Sequence, residues 1–236
     1  MLQDAPQTDM QFLKAIPAFA DLDGALLGRL VGDAIAEEVP PDRVLFEQET
    51  RPEYLFVLLR GMVALTSRKG ESSTTIDILR PVSQFQLATV LLDEPYLVSG
   101  QTLQPSRVLR MRSARVRRII ESEPALAMAA ARYMSTQYRR VVSEVLDLKL
   151  QSVTQRLAGY LVSLMVDDPS RTEIRLPFGK RHLAARLGAS PEHLSRAFAA
   201  LRSHGVTTRG ARVTVADRDT LSSLATYNGT SRSRAN

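Results

Sequence analysis

The 236-residue chain contains no cysteine and no long uninterrupted hydrophobic run. Without cysteine, it can form no disulfide, thiolate-bound zinc site, cysteine-held iron–sulfur cluster or thiol redox switch. The longest apolar run, Ala125–Ala131, covers seven residues, whereas a membrane-spanning helix needs about 20. The N-terminal residues also lack the basic and apolar segments of a secretory signal. We therefore expect a cytoplasmic protein with no membrane partner.

Charge is distributed unevenly along the chain. Residues 1–150 contain 18 Lys and Arg against 19 Asp and Glu, whereas residues 151–236 contain 13 against 6. A near-neutral body followed by a basic C-terminal region is typical of nucleic-acid binding. Binding of this basic region to a membrane surface or to an acidic protein would give the same charge balance.

Local patterns divide the first 123 residues into a helical start and a β-rich body. Apolar residues recur at helical spacing in residues 12–35, which predicts two short helices interrupted by Pro17 and Gly24. Short β-prone segments separated by turn residues follow, which favours an antiparallel sandwich or barrel. The predicted strands are Val44–Glu47, Tyr54–Leu59, Met62–Thr66, Thr75–Leu79, Leu97–Leu103 and Arg107–Met111.

A long helix is predicted over Pro124–Leu150, a stretch with no glycine or internal proline. Its apolar residues alternate at spacings of four and three, which is typical of two helices packed along their length. A single amphipathic helix lying on its own domain would show a similar stripe. The residues predicted to form a dimer interface are Ala127, Ala131, Met134, Tyr138, Val141, Val145 and Leu148.

The most specific pattern predicts a helix-turn-helix within Lys180–Gly205. A first helix ends at Gly188, and Ser190 and Pro191 are the capping and first residues of a second. Apolar positions on the second helix leave a polar face on its other side, as a recognition helix in the major groove requires. Val206–Arg209 and Arg212–Val215 read as a hairpin wing. The predicted DNA-binding residues are Ser190, Glu192, His193, Ser195, Arg196, Arg202, Arg209 and Arg212.

The order of these elements resembles the Crp/Fnr superfamily of bacterial transcription regulators over nearly the whole chain. The resemblance rests on three segments: Tyr54–Val63, Leu183–Gly188 and Pro191–Arg196. It implies an α+β architecture, with an N-terminal jelly-roll sandwich, a long dimerisation helix and a C-terminal winged helix-turn-helix. The pattern Glu192/Ser195/Arg196 resembles the Fnr-type recognition helix, which implies half-sites similar to TTGAT, a homodimer and RNA polymerase as a further partner.

The chain departs from the cyclic-nucleotide-binding members of this family. Those members have a Gly-Glu pair and an Arg-Ser pair, where this sequence has Gln86-Leu87 and Tyr96-Leu97. Cyclic AMP would then bury an unpaired phosphate charge. The segment Asp93–Tyr96 resembles the branch that regulates denitrification and nitrogen-oxide metabolism. The residues expected to line the effector pocket are Phe85, Leu87, Tyr96, Leu97, Met134 and Tyr138.

Haem is a possible cofactor of that branch, and the axial ligand would have to be a tyrosine or methionine. All three histidines, His182, His193 and His204, lie in the predicted DNA-binding region. Packing roles compete with haem ligation at each candidate. The candidates are Tyr96, Tyr133, Tyr138, Met128 and Met134.

The sequence therefore predicts three regions: 1–123 as a sensor sandwich, 124–151 as a dimerisation helix and hinge, and 152–236 as a DNA-binding domain. No catalytic constellation or metal-ligating set stands out, so we expect a regulator rather than an enzyme. An arginine-rich segment within Arg107–Arg118 is either a solvated edge or a contact surface for RNA polymerase or the partner domain. A cyclic-nucleotide-responsive regulator and a signalling module without DNA binding remain alternatives.

Overall fold

In the computed structural model, which describes residues 12–166, 168 and 172–225, the chain divides between Arg140 and Val141 into two units. The first unit contains a β-sandwich with helices, and the second contains a three-stranded sheet with helices.

The sandwich consists of two four-stranded antiparallel sheets. Their strands are β1 (Ile35–Val39), β2 (Val44–Phe46), β3 (Tyr54–Arg60), β4 (Val63–Lys69), β5 (Ser72–Leu79), β6 (Ser83–Phe85), β7 (Ser99–Thr102) and β8 (Ser106–Arg112). One sheet has the order β1-β8-β3-β6, and the other has the order β2-β7-β4-β5. An α+β fold with a jelly-roll-like sandwich is thus confirmed.

Strand β3 is buried on both faces, which explains its almost continuous apolar sequence. Side chains alternate across a strand. Leu55, Val57 and Leu59 accordingly enter the core beneath the helices, whereas Phe56 and Leu58 enter the core between the sheets. The first sheet is therefore the middle layer of this unit.

Several helices that the structure describes over their full length belong wholly or partly to this unit. They are α1 (Gly24–Val31), α2 (Leu87–Leu92), α3 (Ser113–Ser122) and the first part of α4 (Pro124–Leu150). Asp23 caps α1 by accepting a 2.6 Å hydrogen bond from the Leu26 amide. On α4, Leu126 and Ala130 are buried in the helical core, and an Arg140–Asp77 ion pair at 2.6 Å joins the helix to β5.

The second unit is built around the core of a winged helix-turn-helix. Its elements are the end of α4, α5 (Val153–Ser163), β9 (Glu173–Arg175), α6 (Lys180–Arg186), α7 (Pro191–Leu201), β10 (Val206–Arg209), β11 (Arg212–Val215) and α8 (Arg218–Ala225). Ser152 and Gln155 form a reciprocal capping box at the start of α5. The three strands form a sheet in the order β10-β11-β9.

Sequence patterns missed the short or weakly apolar elements. β1 has mostly exposed residues, while β6 and β9 have only three residues each, so neither gives a periodic signal. The predicted strand Leu97–Leu103 begins at Ser99 instead, and Leu97 lies in the preceding loop. The division of the chain into regions 1–123, 124–151 and 152–236 stays a prediction.

Candidate DNA-binding surface and effector region

Helix α7 separates an apolar face from a polar face. Leu194, Ala197, Phe198 and Leu201 are buried in the core of the second unit. The Lys180 ammonium lies 5.5 Å from the centre of the Phe198 ring, which further fixes α7 against α6. The opposite side of α7 is consequently held toward solvent by the packing of its apolar side.

The first turn of α7 is organised around Ser190. Its hydroxyl accepts a 3.2 Å hydrogen bond from the His193 amide, and Pro191 occupies the first helical position. Hydrogen bonding with Ser190 lowers the pKa of Glu192, whose side chain is solvent-exposed. Glu192 is therefore ionised at neutral pH, as acceptance of a hydrogen bond from a cytosine amino group requires.

The predicted base-reading residues share the exposed face. Glu192, Ser195 and Arg196 are all solvent-exposed, and so are His193 and Arg202. The Ser195 hydroxyl donates to the Pro191 carbonyl at 2.9 Å. The Arg196 guanidinium contributes to the lowered pKa of Glu192, so the two charges lie near each other one turn apart. This face presents a cation and an anion together.

The turn between α6 and α7 requires glycine at its centre. Gly188 has φ +59°, and the amides of Gly188 and Ala189 donate back to Ala185 and Ala184, both at 2.9 Å. This pattern is a Schellman C-cap, in which a left-handed residue follows the helix. A Cβ at Gly188 would lie 2.5 Å from Leu148 Cδ2, because the end of α4 packs against this turn. Leu148, predicted in the dimer interface, thus also supports the helix-turn-helix.

Arg156 ties the ends of two helices together. Its Nε donates to the Leu187 carbonyl at 2.9 Å, and its Nη1 donates to the carbonyls of Gln151 and Leu148. Desolvation lowers the pKa of this guanidinium, although it stays charged at neutral pH. A cation at two helix C-termini satisfies carbonyls that have no intrahelical partner. Sequence analysis did not identify Arg156, since both helix ends must first be brought together.

The hairpin formed by β10 and β11 carries the predicted wing arginines. Arg209 pairs with Arg212 across the two strands, next to a Gly210-Ala211 loop in which Gly210 has φ +62°. Both arginines are exposed. Arg212 also forms an ion pair with Glu173 of β9 at 3.4 Å.

In the sandwich, an aromatic cluster fills the core between the sheets. Phe46, Phe56, Phe85 and Tyr96 contact one another, with the Phe46 and Tyr96 ring centres 4.4 Å apart. The Tyr96 hydroxyl donates to the Tyr54 carbonyl at 3.1 Å, and burial raises the pKa of Tyr96 to about 12. Tyr96 is thus a packed, neutral core residue.

The six residues expected around an effector lie in different parts of the first unit. Phe85 and Tyr96 belong to the aromatic cluster, whereas Leu87 belongs to the helical core. Met134 packs against that helical core, and the side chains of Leu97 and Tyr138 are 80% and 71% exposed. These residues lie on different elements of the single chain, and the expectation that they share an effector pocket stays a prediction.

An apolar cavity beside Leu87 lies in the helical core and not between the two sheets. It measures about 10 Å³, which is about the space of one water molecule. Gln86 has φ +70°, a left-handed conformation that suits glycine. The neighbouring Leu87 is buried in the helical core and offers no polar group.

The candidate haem ligands are spread over the aromatic cluster, the helical core and exposed positions of α4. Tyr96 is part of the aromatic cluster, and the Tyr133 hydroxyl donates to the Gln84 carbonyl at 3.1 Å. Burial raises the pKa of Tyr133 too, which disfavours the phenolate that would bind iron. Met128 and Tyr138 are exposed. The hydrogen bonds of Tyr96 and Tyr133 to backbone carbonyls do not support haem ligation at these two residues.

The arginine-rich segment is largely neutralised by neighbouring carboxylates. Four of its members form ion pairs of 2.9–3.2 Å. The pairs are Arg107–Glu38, Arg110–Glu37, Arg115–Asp33 and Arg117–Asp93. Arg110 also lies 5.1 Å from the centre of the Tyr54 ring. These contacts favour a solvated edge of the domain over a contact surface for RNA polymerase or the partner domain.

The C-terminal part of α4 carries a broad apolar surface. Val141, Val145 and Leu148 of the predicted seam are 53%, 43% and 48% exposed. Val142, Leu146 and Leu150 are exposed as well. Nearer the helix start, Ala127 is half-buried and Ala131 is exposed. The predicted dimer contacts thus begin as a small-residue region and end as a large apolar one.

Within the described part of the chain, no helix is long and apolar enough to cross a membrane. The described residues also contain no group of three or more His, Cys, Asp or Glu side chains placed to hold a metal ion.

Comparison with known proteins gives two family matches in the same order as the two units. Residues 36–123 match the cyclic nucleotide-binding domain, and residues 155–233 match the Crp-like helix-turn-helix domain. The chain is 23% identical over 204 residues to the anaerobic regulatory protein of Bacillus subtilis, covering 84% of this chain and 86% of that protein. It is 28% identical over 137 residues to the transcriptional activator protein anr of Pseudomonas aeruginosa, covering 56% of each.

A solved structure gives the same fold. FixK2 from Bradyrhizobium japonicum superposes with a TM-score of 0.73 at 16% identity, covering 83% of this chain and 99% of that one.

Proposed function

Because the chain belongs to the Crp/Fnr family of DNA-binding transcription regulators, we propose that it binds as a homodimer to an inverted repeat of TTGAT-like half-sites. We further propose that it regulates genes of nitrogen-oxide or low-oxygen metabolism. The observation that carries the DNA site is the exposed trio Glu192, Ser195 and Arg196 on α7.

Each member of the trio has a chemical role in base reading. Arg196 donates two hydrogen bonds to O6 and N7 of a guanine, and Glu192 accepts one from a cytosine amino group on the other strand. Ser195 lies between them and contacts a base or sugar edge. Arg196 and Glu192 are four residues apart, so both side chains lie on the same side of the helix.

Dimerisation through α4 provides the second half-site. The exposed valines and leucines after residue 140 form an apolar surface on the single chain, and a matching helix of a second copy would cover it. A symmetric dimer then requires half-site centres about 34 Å apart. Arg209 and Arg212 contact phosphates and position the recognition helix.

The proposed regulatory role rests on sequence similarity to known regulators and not on an identified ligand. One similar protein is called an anaerobic regulatory protein, and the segment Asp93–Tyr96 resembles the nitrogen-oxide branch. The aromatic cluster that fills the core between the sheets supports a signal other than a cyclic nucleotide bound inside the sandwich.

The test is a titration of the purified protein against two labelled duplexes of equal length. One carries TTGAT and its inverted copy with centres one helical turn apart, and the other carries the same bases in scrambled order. We expect preference for the inverted repeat by at least about 10³ in Kd, as for specific regulators. Equal affinity for both duplexes would contradict the proposal. Sedimentation of the complex would check for two chains per duplex.

A further inference from the structure

Three arginines form one row across all three strands of the wing sheet. Arg209 of β10 is opposite Arg212 of β11, and Arg212 is in turn opposite Arg175 of β9. All three residues are exposed. The row crosses two strand spacings of 4.7–4.9 Å, so it extends over about 10 Å.

Burial shows that the three side chains lie on the same face. Val213 and its partner Ile174 are both buried, and side chains alternate along a strand. Their neighbours Arg212 and Arg175 therefore point to solvent together. In the next row on this face, Thr207 is opposite Thr214, and Thr214 is opposite Glu173.

This row is unfavourable for the isolated protein. Directly opposite residues have Cβ atoms about 5 Å apart, and like charges there are destabilising. Within the described residues, one carboxylate pairs with the row: Glu173, 3.4 Å from Arg212, and that pair is largely exposed. Arg209 and Arg175 have no ion pair among the described residues. A charge arrangement that costs stability and has little compensation within the fold is typical of a binding surface.

We infer that Arg175, Arg212 and Arg209 form a continuous phosphate-binding row, in which Arg175 is a DNA contact and Glu173 limits its strength. The inference rests on the proposed function, since it extends the DNA surface from the hairpin to β9. A row of guanidinium groups matches the regular negative charge of a DNA strand. The Glu173 carboxylate neutralises part of Arg212 and repels phosphates, so it lowers affinity for every sequence.

The experiment compares full-length wild type with Arg175→Gln, Glu173→Gln and, as a matched control, Arg51→Gln. Arg51 is an exposed arginine of the sandwich unit. Anisotropy titrations use the inverted-repeat and scrambled duplexes over a range of salt concentrations. Each phosphate contact contributes about 0.9 to the slope of log affinity against log salt. Arg175→Gln should therefore reduce that slope by about two per dimer on both duplexes.

The same variant should leave the protein at least as stable. Removing a like charge opposite Arg212 does not lower Tm, so weaker DNA binding with an unchanged or raised Tm separates the phosphate role from unfolding. Glu173→Gln should strengthen binding to both duplexes, and Arg51→Gln should change neither slope nor affinity.

Three outcomes would overturn the inference. An unchanged salt slope for Arg175→Gln would remove Arg175 from the DNA surface. A loss confined to the inverted-repeat duplex would mean base reading and not phosphate binding. Weaker binding by Glu173→Gln would mean that the carboxylate positions Arg212 and does not limit affinity. These results differ from a failure of the proposed function, in which wild type itself would not distinguish the two duplexes.

Discussion

Replacement of Arg196 by alanine tests the base-reading face directly. The Arg196 side chain is exposed on α7, opposite the buried Phe198, so its removal leaves no cavity in the core. Alanine is also the strongest helix former, which makes the substitution harmless to α7 itself. We expect the Tm to stay within a few degrees of wild type.

The expected loss of affinity is large and confined to the correct sequence. A bidentate contact to guanine discriminates by about 1–3 kcal/mol. Two half-sites double that to about 2–6 kcal/mol if they act independently, or roughly 30-fold to 20,000-fold in Kd. Wild type should show a similar loss when the guanine is replaced in both half-sites.

The assay is a double comparison of wild type and Arg196→Ala on matched duplex and on duplex with the two guanines replaced. Wild type should discriminate strongly between the two, whereas the variant should bind both with nearly the same weak affinity. Arg51→Ala serves as the control for the lost charge. If Arg196→Ala weakened both duplexes equally, the residue would contact the backbone, and the assignment of the reading face would be wrong.

Three further predictions concern dimerisation, cyclic-nucleotide binding and the contacts of Arg156 with two helix ends. Val145→Asp should make the protein monomeric by light scattering, because the carboxylate would be desolvated against a second copy. Ser143→Asp, on the opposite side of α4 from Val145, should leave the dimer intact. A persistent Val145→Asp dimer would place the interface elsewhere. Millimolar cyclic AMP or cyclic GMP should not raise Tm. A ligand at 100 times its Kd would add about 2.7 kcal/mol to the free energy of unfolding, so a clear rise in Tm would contradict the conclusion that the sandwich core is filled. Arg156→Met keeps the length of the side chain but removes its hydrogen-bond donors, so it should weaken binding to matched DNA without changing the salt slope. An unchanged affinity would show that the hydrogen bonds of Arg156 to the ends of α4 and α6 are dispensable.

The recognition helix could be predicted from sequence because its determinants are local. Ser190 and Pro191 fix the start of α7, and the spacing of Leu194, Phe198 and Leu201 fixes its buried face. Once that face is known, the exposure of Glu192 and Arg196 follows from helical geometry. The hairpin bounds at Arg209 and Arg212 were predicted for the same reason, since Gly210 marks a short turn.

The packing of the sandwich core could not be predicted in this way because its residues come from distant segments. Phe46, Phe85 and Tyr96 meet only when β2, β6 and the loop before β7 are assembled. Leu97 follows Tyr96 in sequence, yet one is exposed and the other is buried. Sequence alignment to a family motif gives positions along the chain but not the direction of each side chain.

Sequence alone determined the order of the units, the long helix, the helix-turn-helix and the polar face of α7, because each depends on spacing over a few residues. Only the tertiary structure decided that Arg175 lies opposite Arg212 and that Arg156 joins two helix ends. β9 has a polar-apolar-polar pattern in Glu173–Arg175, but three residues are too few to predict a strand or its partner. Strand register and helix-end contacts join residues more than 30 positions apart, and packing of the whole unit sets them.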